Sequence, residues 1–254
     1  MTPSTSFEAT AQSVVPLRTL FQDGDIANAS GVIIEIWGDG EFGSEFFLAT
    51  ARHCVASKKG AAVQTISVIL NLKDGSGQHP IAIEKPIMPW TEGDGIELFD
   101  ITKHVDGLVP HSINHTRMRR FSPGLLEDQL APEIVPPLEV LLLGYPDFGD
   151  KYDRPQFTTS GSISSEPFPK KGVDVDVVAA NVASDDGYSG GAYIHDQPSV
   201  GFVLLGIHLG YLSRKSGGHS GHAYMAPSVE IRNWLVSEQY IGSDGVRIPV
   251  RDRK

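Results

Sequence analysis

The 254-residue sequence contains a single cysteine, Cys54, so no disulfide bond can form within the chain. No apolar run approaches the ~20 residues that a helix needs to span a bilayer. The start of the sequence also lacks the basic and apolar regions of a secretory signal. Because disulfides are rare in the reducing cytoplasm, these absences together predict a soluble cytoplasmic protein.

Positive charge is also scarce. Lys and Arg number 21 against 31 Asp and Glu, which gives a formal net charge of -10. Binding to a nucleic-acid backbone depends on clustered Lys and Arg that displace counterions, and residues 117–121 form the one dense basic run. We therefore expect neither a nucleic acid nor a membrane among the partners of this protein.

Helical periodicity is rare, whereas short runs rich in Val, Ile and aromatic residues recur between Gly, Pro, Asp and Ser. The alternation of apolar and polar residues is cleanest in "VDVDVV", residues 173–178. Only residues 227–241 have apolar side chains at helical spacing. Many short strands and one terminal helix predict an all-β sandwich or barrel. The predicted strands are 31–37, 45–51, 65–72, 80–87, 95–101, 138–145, 156–165, 173–181, 191–195, 201–211 and 222–227.

Two stretches combine residue types that carry chemistry. "TARHC", residues 50–54, places His53 at the end of an apolar run, and "GYSGG", residues 187–191, surrounds Ser189 with glycines. A tight glycine-rich turn exposes the serine Oγ and leaves neighbouring N–H groups free. Free N–H groups of this kind stabilise the oxyanion that forms during acyl transfer.

Together the two stretches resemble the trypsin/chymotrypsin-like serine proteases, in which the histidine follows "TAxHC" and the serine lies in "GxSGG". "LLLGYP", "TSGSIS", "LLGIHLGY" and the terminal helix follow in the family's order, over about residues 28–241. The resemblance implies an all-β fold of two six-stranded antiparallel β-barrels with a C-terminal helix. The resemblance divides the chain into a disordered tail at residues 1–13, a peptidase domain at 14–241 and a C-terminal tail at 242–254. Within the domain it gives a first barrel 28–108, a linker 109–137, a second barrel 138–226 and a helix 227–241.

The resemblance also implies the catalytic roles. Ser189 would be the nucleophile and His53 the general base that takes its proton and returns it to the leaving amine. The N–H groups of Gly187 and Ser189 would form the oxyanion hole. We therefore predict a serine endopeptidase that acts on protein or peptide substrates and needs no metal or other cofactor.

The carboxylate that should orient His53 has three candidates. Asp94 ranks first because it opens "DGIELFDI" after a turn-like "TEG", although Gly95 adds a residue and Glu97 takes a position that is small in the family. Asp100 matches the local letters of the family pattern but would lie within a strand. Asp106, in "VDGLV", ranks third.

The primary specificity pocket is implied by the same resemblance. "GIHLGY" is similar to the "GIHxG" strand of bacterial glutamyl endopeptidases, which places His208 on one wall of the pocket and Ala183 on another. This similarity implies a preference for Glu or Asp before the scissile bond, weakening partly as pH rises past the ordinary histidine pKa of ~6.5. Tyr188 stands where digestive enzymes have an aspartate that pairs with a newly cleaved N-terminus, so we expect activity without such processing.

Two other functions remain open at this point. "GYSGG" also fits the nucleophile elbow of α/β-hydrolases, which would make the protein an esterase. A protease fold without activity, acting as a binding module, is the third reading. Two histidine pairs lack the cysteine or carboxylate neighbours of a zinc site, and we read them as loop residues: His111 with His115, and His219 with His222.

Overall fold

The computed structural model describes residues 7–36, 45–56, 60–71, 78–83, 93–105, 116–117, 134–147, 155–198, 201–213, 219–240 and 242. Thirteen strands and three short helices are defined within these residues. The helices are α1 Phe7–Gln12, α2 Thr102–Val105 and α3 Val229–Ser237. The strands are β1 Val14–Phe21, β2 Ile26–Ile36, β3 Glu45–Ala51, β4 Val63–Asn71, β5 Gln78–Ile83, β6 Ile96–Asp100, β7 Thr116–Arg117, β8 Glu139–Gly144, β9 Phe157–Ile163, β10 Val178–Asn181, β11 Ala192–Gln197, β12 Gly201–Ser213 and β13 His219–Pro227.

The first half of the chain forms one curled sheet in the order β5-β4-β1-β2-β3-β6. Neighbouring strands in this order are antiparallel, and the two-residue β7 adds a parallel pairing to β2. β3 is buried at all seven positions, which explains why its sequence is nearly continuously apolar. The histidine of the "TARHC" stretch follows directly after this buried strand.

The second half forms a closed six-stranded barrel in the order β10-β13-β12-β11-β8-β9. Helix α3 follows β13 and buries Ile231 and Leu235. A large apolar cluster joins the two halves, because side chains of the barrel pack against the first sheet. The barrel contributes Leu143, Tyr145, Ile194, Ile207 and Leu209 to this cluster.

The all-β, two-barrel chymotrypsin-like fold with a C-terminal helix is confirmed. Its first barrel is a curled sheet whose edge strands β5 and β6 do not pair within the described residues. The α/β-hydrolase reading needs alternating strands and helices around a parallel sheet. The antiparallel barrel therefore removes the structural basis for the esterase alternative.

The N-terminal segment differs from the sequence prediction of a disordered tail. Residues 7–12 are helical, and Thr10 and Ser13 are completely buried. β1 then runs between β2 and β4, ahead of the predicted start of the first barrel at residue 28. The sequence hides this strand because Pro16 and Arg18 interrupt its apolar pattern. Residues 1–6 lie outside the described part of the chain.

The "VDVDVV" stretch is not the regular strand that its alternation predicts. β10 begins only at Val178, while Val173 forms a single bridge to Asp94 and Val177 a single bridge to Phe168. Residues 172–174 reach across to the first half of the molecule, where the Gly172 carbonyl and the Asp174 N–H form backbone hydrogen bonds with Asp94. The alternation therefore reflects a segment packed against a neighbouring loop.

Most of the predicted linker 109–137 and of the C-terminal tail 242–254 lies outside the described residues. None of the helices that the structure describes is long and apolar enough to cross a membrane.

Candidate active site

His53 is held at the point where β3 leaves the core. β3 ends at Ala51, and residues Arg52–Cys54 form a single 3-10 turn. The Arg52 N–H donates to the Gly95 carbonyl at 2.9 Å, which ties this turn to the start of β6. Cys54 is buried in the apolar cluster, so the turn is anchored on both sides of the imidazole.

Asp94 is the predicted carboxylate that contacts His53. Its Oδ2 lies 2.8 Å from Nδ1 of His53, while its Oδ1 accepts the backbone N–H of His53 at 3.2 Å and of Gly95 at 3.0 Å. Because an ionised carboxylate can only accept, Nδ1 of His53 must carry the proton, and Nε2 is left as the basic nitrogen. This is the tautomer that a general base for a serine requires.

The second candidate carboxylate, Asp100, does not reach this position. Asp100 is exposed at the far end of β6, where its Oδ1 accepts the N–H of Thr102 at 2.9 Å. Asp106 lies outside the described residues. Of the two candidates that the structure describes, only Asp94 has a carboxylate in contact with the imidazole.

The surroundings of His53 favour its protonated form. Burial opposes protonation, but the contact with Cys54 and the hydrogen bond to Asp94 outweigh it and raise the pKa of His53 above 6.5. Since the raised pKa belongs to the folded state, protonated His53 stabilises the fold fully below pH 6.5. That contribution is lost as pH rises through the higher, folded-state pKa.

This shift yields a direct prediction. NMR titration of the His53 Cε1 proton should give a midpoint above 6.5, because Asp94 stabilises the imidazolium. In Asp94→Asn the midpoint should fall, since the amide has no charge to offer. A wild-type midpoint at or below 6.5, unchanged in the variant, would contradict the electrostatic role of Asp94.

The turn that carries Ser189 requires glycine at two positions. Gly187 and Gly190 have φ of +90° and +83°, in the left-handed region that favours glycine. A Cβ on Gly187 would collide with backbone atoms of Tyr145 and Asp147. A Cβ on Gly190 would collide with the Ser30 carbonyl. The two halves of the molecule therefore approach closely at this turn.

Some backbone N–H groups of this turn donate hydrogen bonds within the described structure, and others do not. Those of Gly187 and Ser189 donate to no acceptor among the described residues. The other N–H groups of residues 186–191 all donate hydrogen bonds. Those of Asp186 and Tyr188 donate to Asp185, that of Gly190 donates to His208, and that of Gly191 donates to Tyr188. The two free donors are the pair predicted for the oxyanion hole, and Ser189 itself is half-buried.

Ser30, which the sequence motifs do not include, links this turn to β3, the strand that leads to His53. Its N–H donates to the Ser189 carbonyl and its Oγ to the Gly187 carbonyl, both at 2.8 Å. Its own carbonyl accepts the Thr50 hydroxyl at 2.7 Å, three residues before His53. Ser30 is fully buried within the largely apolar β2, and its burial is evident only from the structure.

His208 lies inside the second barrel with only 1% of its surface exposed. Its Nδ1 lies 3.2 Å from the Tyr193 hydroxyl, and its carbonyl accepts the Gly190 N–H at 2.8 Å. Burial and the nearby charge of His53 lower the pKa of His208 to about 3. The expected titration of His208 near pH 6.5 is therefore corrected, and its ring is neutral at ordinary pH.

Ala183, the other predicted pocket residue, is exposed, and its carbonyl accepts the Thr159 hydroxyl at 3.0 Å. The neighbouring Ser184 has a buried Oγ without a hydrogen-bond partner in the described structure. Of the histidines predicted to lie in loops, His111 and His115 lie outside the described residues, whereas His219 and His222 lie on strand β13. Among the residues that are described, no three His, Cys, Asp or Glu side chains are grouped to hold a metal ion.

Comparison with solved structures identifies the fold. The HtrA-type protease AlgW, solved with a tripeptide, matches 90% of this chain with a TM-score of 0.53 and 21% identity, and this chain spans 62% of AlgW. The Rv3671c protease of M. tuberculosis, in an inactive form, matches 92% of this chain and 98% of its own with a TM-score of 0.53 and 18% identity. No protein-family model and no curated protein matches the chain. At these identities the likeness is one of fold.

Proposed function

We propose that this protein is a serine endopeptidase that uses Ser189, His53 and Asp94 as its catalytic triad. The observation that carries the proposal is the 2.8 Å contact between Asp94 and His53, in a fold where the Ser189 turn packs against the strand leading to His53. The free N–H groups of Gly187 and Ser189 add a second feature that this chemistry needs.

In the proposed reaction, the Ser189 Oγ attacks the carbonyl carbon of the scissile peptide bond while Nε2 of His53, in the neutral form of its imidazole, takes the hydroxyl proton. The N–H groups of Gly187 and Ser189 donate to the oxyanion of the tetrahedral intermediate. His53 then protonates the leaving amine, the C–N bond breaks and an acyl-enzyme remains on Ser189. Water, deprotonated by His53, hydrolyses this ester and restores the hydroxyl.

Peptide or protein substrates fit the fold comparison, since AlgW was solved with a tripeptide. An inactive binding module would share the fold and could also bind peptides. A fluorophosphonate probe separates the two, because it reacts only with an activated serine. We expect labelling at Ser189 that is lost in Ser189→Ala, and cleavage of a denatured proteome with a consistent residue before the cut bond. Absence of labelling and cleavage in the wild type would favour the binding module.

We also propose that His208 and Ala183 border the first substrate pocket and that the pocket prefers Glu. A neutral His208 whose Nδ1 accepts from Tyr193 has a proton on Nε2, which can donate to a substrate carboxylate. A hydrogen bond to a charged partner contributes about 1.5–3 kcal/mol, which corresponds to roughly 10- to 150-fold.

The test compares peptides that differ only in Glu or Gln before the scissile bond. Wild type should favour Glu by about 10-fold or more, and His208→Ala should lose this preference. His195→Ala, which changes a half-buried histidine of β11, is the matched control. Because burial lowers the pKa of His208 to about 3, the preference should stay constant between about pH 6 and pH 8. Equal rates for the two peptides in wild type would contradict the pocket assignment.

A further inference from the structure

Glu97 is a buried acidic residue at a position where the serine protease pattern has a small one. It pairs with Thr50 across β3 and β6, one strand residue away from the turn that carries His53. Only 4% of its surface is exposed. Its Oε1 lies 3.5 Å from Nε of Arg52, and its Oε2 is buried without a hydrogen-bond partner in the described structure. Arg52 is therefore the countercharge that this carboxylate has on the described chain.

Arg52 also contacts both residues that flank Asp94. Its Nη1 donates to the Gly93 carbonyl at 3.2 Å, and its backbone N–H donates to the Gly95 carbonyl at 2.9 Å. The same Nη1 lies 4.0 Å from Oδ2 of Asp174. A guanidinium is a rigid fork, so a partner on Nε restricts where its Nη groups can point. By holding Nε, Glu97 restricts the orientation of the Arg52 guanidinium in which Nη1 donates to the Gly93 carbonyl.

Residues 172–174 of the second half of the molecule contact the Asp94 backbone. The Asp94 N–H donates to the Gly172 carbonyl at 2.7 Å, and the Asp174 N–H donates to the Asp94 carbonyl at 2.9 Å. Gly93 has a φ of +84°, and a Cβ there would collide with the Asp174 side chain. The backbone of Asp94 is thus held by residues 172–174, while its two neighbours are held by Arg52.

We propose that Arg52 and Glu97 are positioning residues that hold Asp94 against His53. This inference rests on the proposed triad. Without Arg52, the Gly93 carbonyl loses its side-chain donor and the buried Glu97 carboxylate loses its countercharge, so residues 93–95 are free to shift. Without the Glu97 charge, Arg52 keeps its hydrogen bond to the Gly93 carbonyl and its ion pair with Asp174. It loses the carboxylate that orients its guanidinium group.

The electrostatics agree with this geometry. Burial raises the pKa of Glu97 to about 7, with Arg52 opposing the rise and Asp94 adding to it. The charge of Asp94 therefore disfavours an ionised Glu97, and the Arg52 guanidinium beside Glu97 favours it. Removing the guanidinium would leave the Glu97 carboxylate without its countercharge while the repulsion from Asp94 remains, which favours displacement of Asp94 or protonation of Glu97.

The experiment measures the rate at which a fluorophosphonate probe labels Ser189, together with the downfield ¹H NMR resonance of the His53 Nδ1–H. Arg52→Ala should slow labelling by about 10²-fold, the order of loss expected when a catalytic group moves by about 1 Å, and should shift or remove the resonance. Arg52→Lys should lose less than Arg52→Ala, because the ammonium keeps a countercharge for Glu97. It should still fall short of wild type, because one ammonium cannot reach both Glu97 and Gly93. Glu97→Gln should change both readouts in the same direction by a smaller amount. Arg18→Ala on β1 and Glu45→Gln on β3, an arginine and a buried glutamate of the same sheet, are matched controls that should resemble wild type.

A double-mutant cycle distinguishes positioning from general loss of stability. In an Asp94→Asn background, Arg52→Ala should cost little further, because its effect passes through Asp94. A full additional loss in that background, or wild-type labelling and resonance in Arg52→Ala, would overturn the inference. If circular dichroism shows Arg52→Ala to be unfolded, the Arg52→Lys and Glu97→Gln variants take its place in the test. Wild-type labelling and an unchanged resonance in both of them would overturn the inference. Failure of the wild type to be labelled would instead overturn the proposed function.

Discussion

Ser189→Ala and His53→Ala are each expected to lower turnover of a peptide substrate by about 10⁶-fold, and the double variant should be hardly slower than either one. The two side chains act as one unit in the proposed reaction. Without the imidazole, the Ser189 hydroxyl has no base to take its proton. Without the hydroxyl, the base has no nucleophile to activate. The activity that remains should come from substrate binding and from the N–H groups of Gly187 and Ser189.

Matched controls guard against effects on folding. Ser213→Ala changes an exposed serine at the end of β12, and His195→Ala changes a histidine of β11. Both should keep nearly wild-type turnover, and all four variants should show the same circular dichroism spectrum. Ser189→Ala retaining even a tenth of wild-type proteolysis would show that the nucleophile lies elsewhere.

The parts of the candidate site that the sequence predicted are those with local signatures. "TARHC" and "GYSGG" are each five residues long, and each specifies its own geometry: a histidine after a buried strand and a serine in a turn that needs positive φ at Gly187 and Gly190. The positions of most strands along the chain followed from runs of Val and Ile between turn residues. Such features depend on neighbours in the chain, which is why periodicity and turn chemistry could identify them.

The features that the sequence did not predict depend on contacts between distant residues. Ser30 touches Ser189 and Gly187 across more than 150 positions, and nothing in the local letters "ANASGV" marks it. β1 is central in its sheet although Pro16 and Arg18 break its pattern, because burial on both sides comes from β2 and β4. The lowered pKa of His208 likewise arises from its enclosure in the barrel. In each case tertiary packing overrides the local signal.

The choice among Asp94, Asp100 and Asp106 shows the same limit at the level of one side chain. Gly95 and Glu97 blur the family pattern around Asp94, so the letters alone left three candidates. The contact that separates them joins residues 41 positions apart and depends on β3 pairing with β6 from Ala51↔Ile96 to Phe47↔Asp100. That register places Asp94 beside His53 and Asp100 at the opposite end of the strand.

Asp94→Asn should therefore lower turnover by about 10⁴-fold, while Asp100→Asn should leave it close to wild type. The asparagine amide can donate to Nδ1 of His53, which would move the ring proton to Nε2 and leave no base facing Ser189. Asp100 has a different partner, since its Oδ1 accepts the Thr102 N–H at the start of α2. The amide oxygen of an asparagine can accept the same N–H, so this replacement should change both stability and activity little. Steady-state turnover of the two variants, with thermal unfolding as the stability readout, tests both statements. A small loss of turnover in Asp94→Asn with a large loss in Asp100→Asn would reverse the assignment. The contact between Asp94 and His53 would then not be the one that the active enzyme uses.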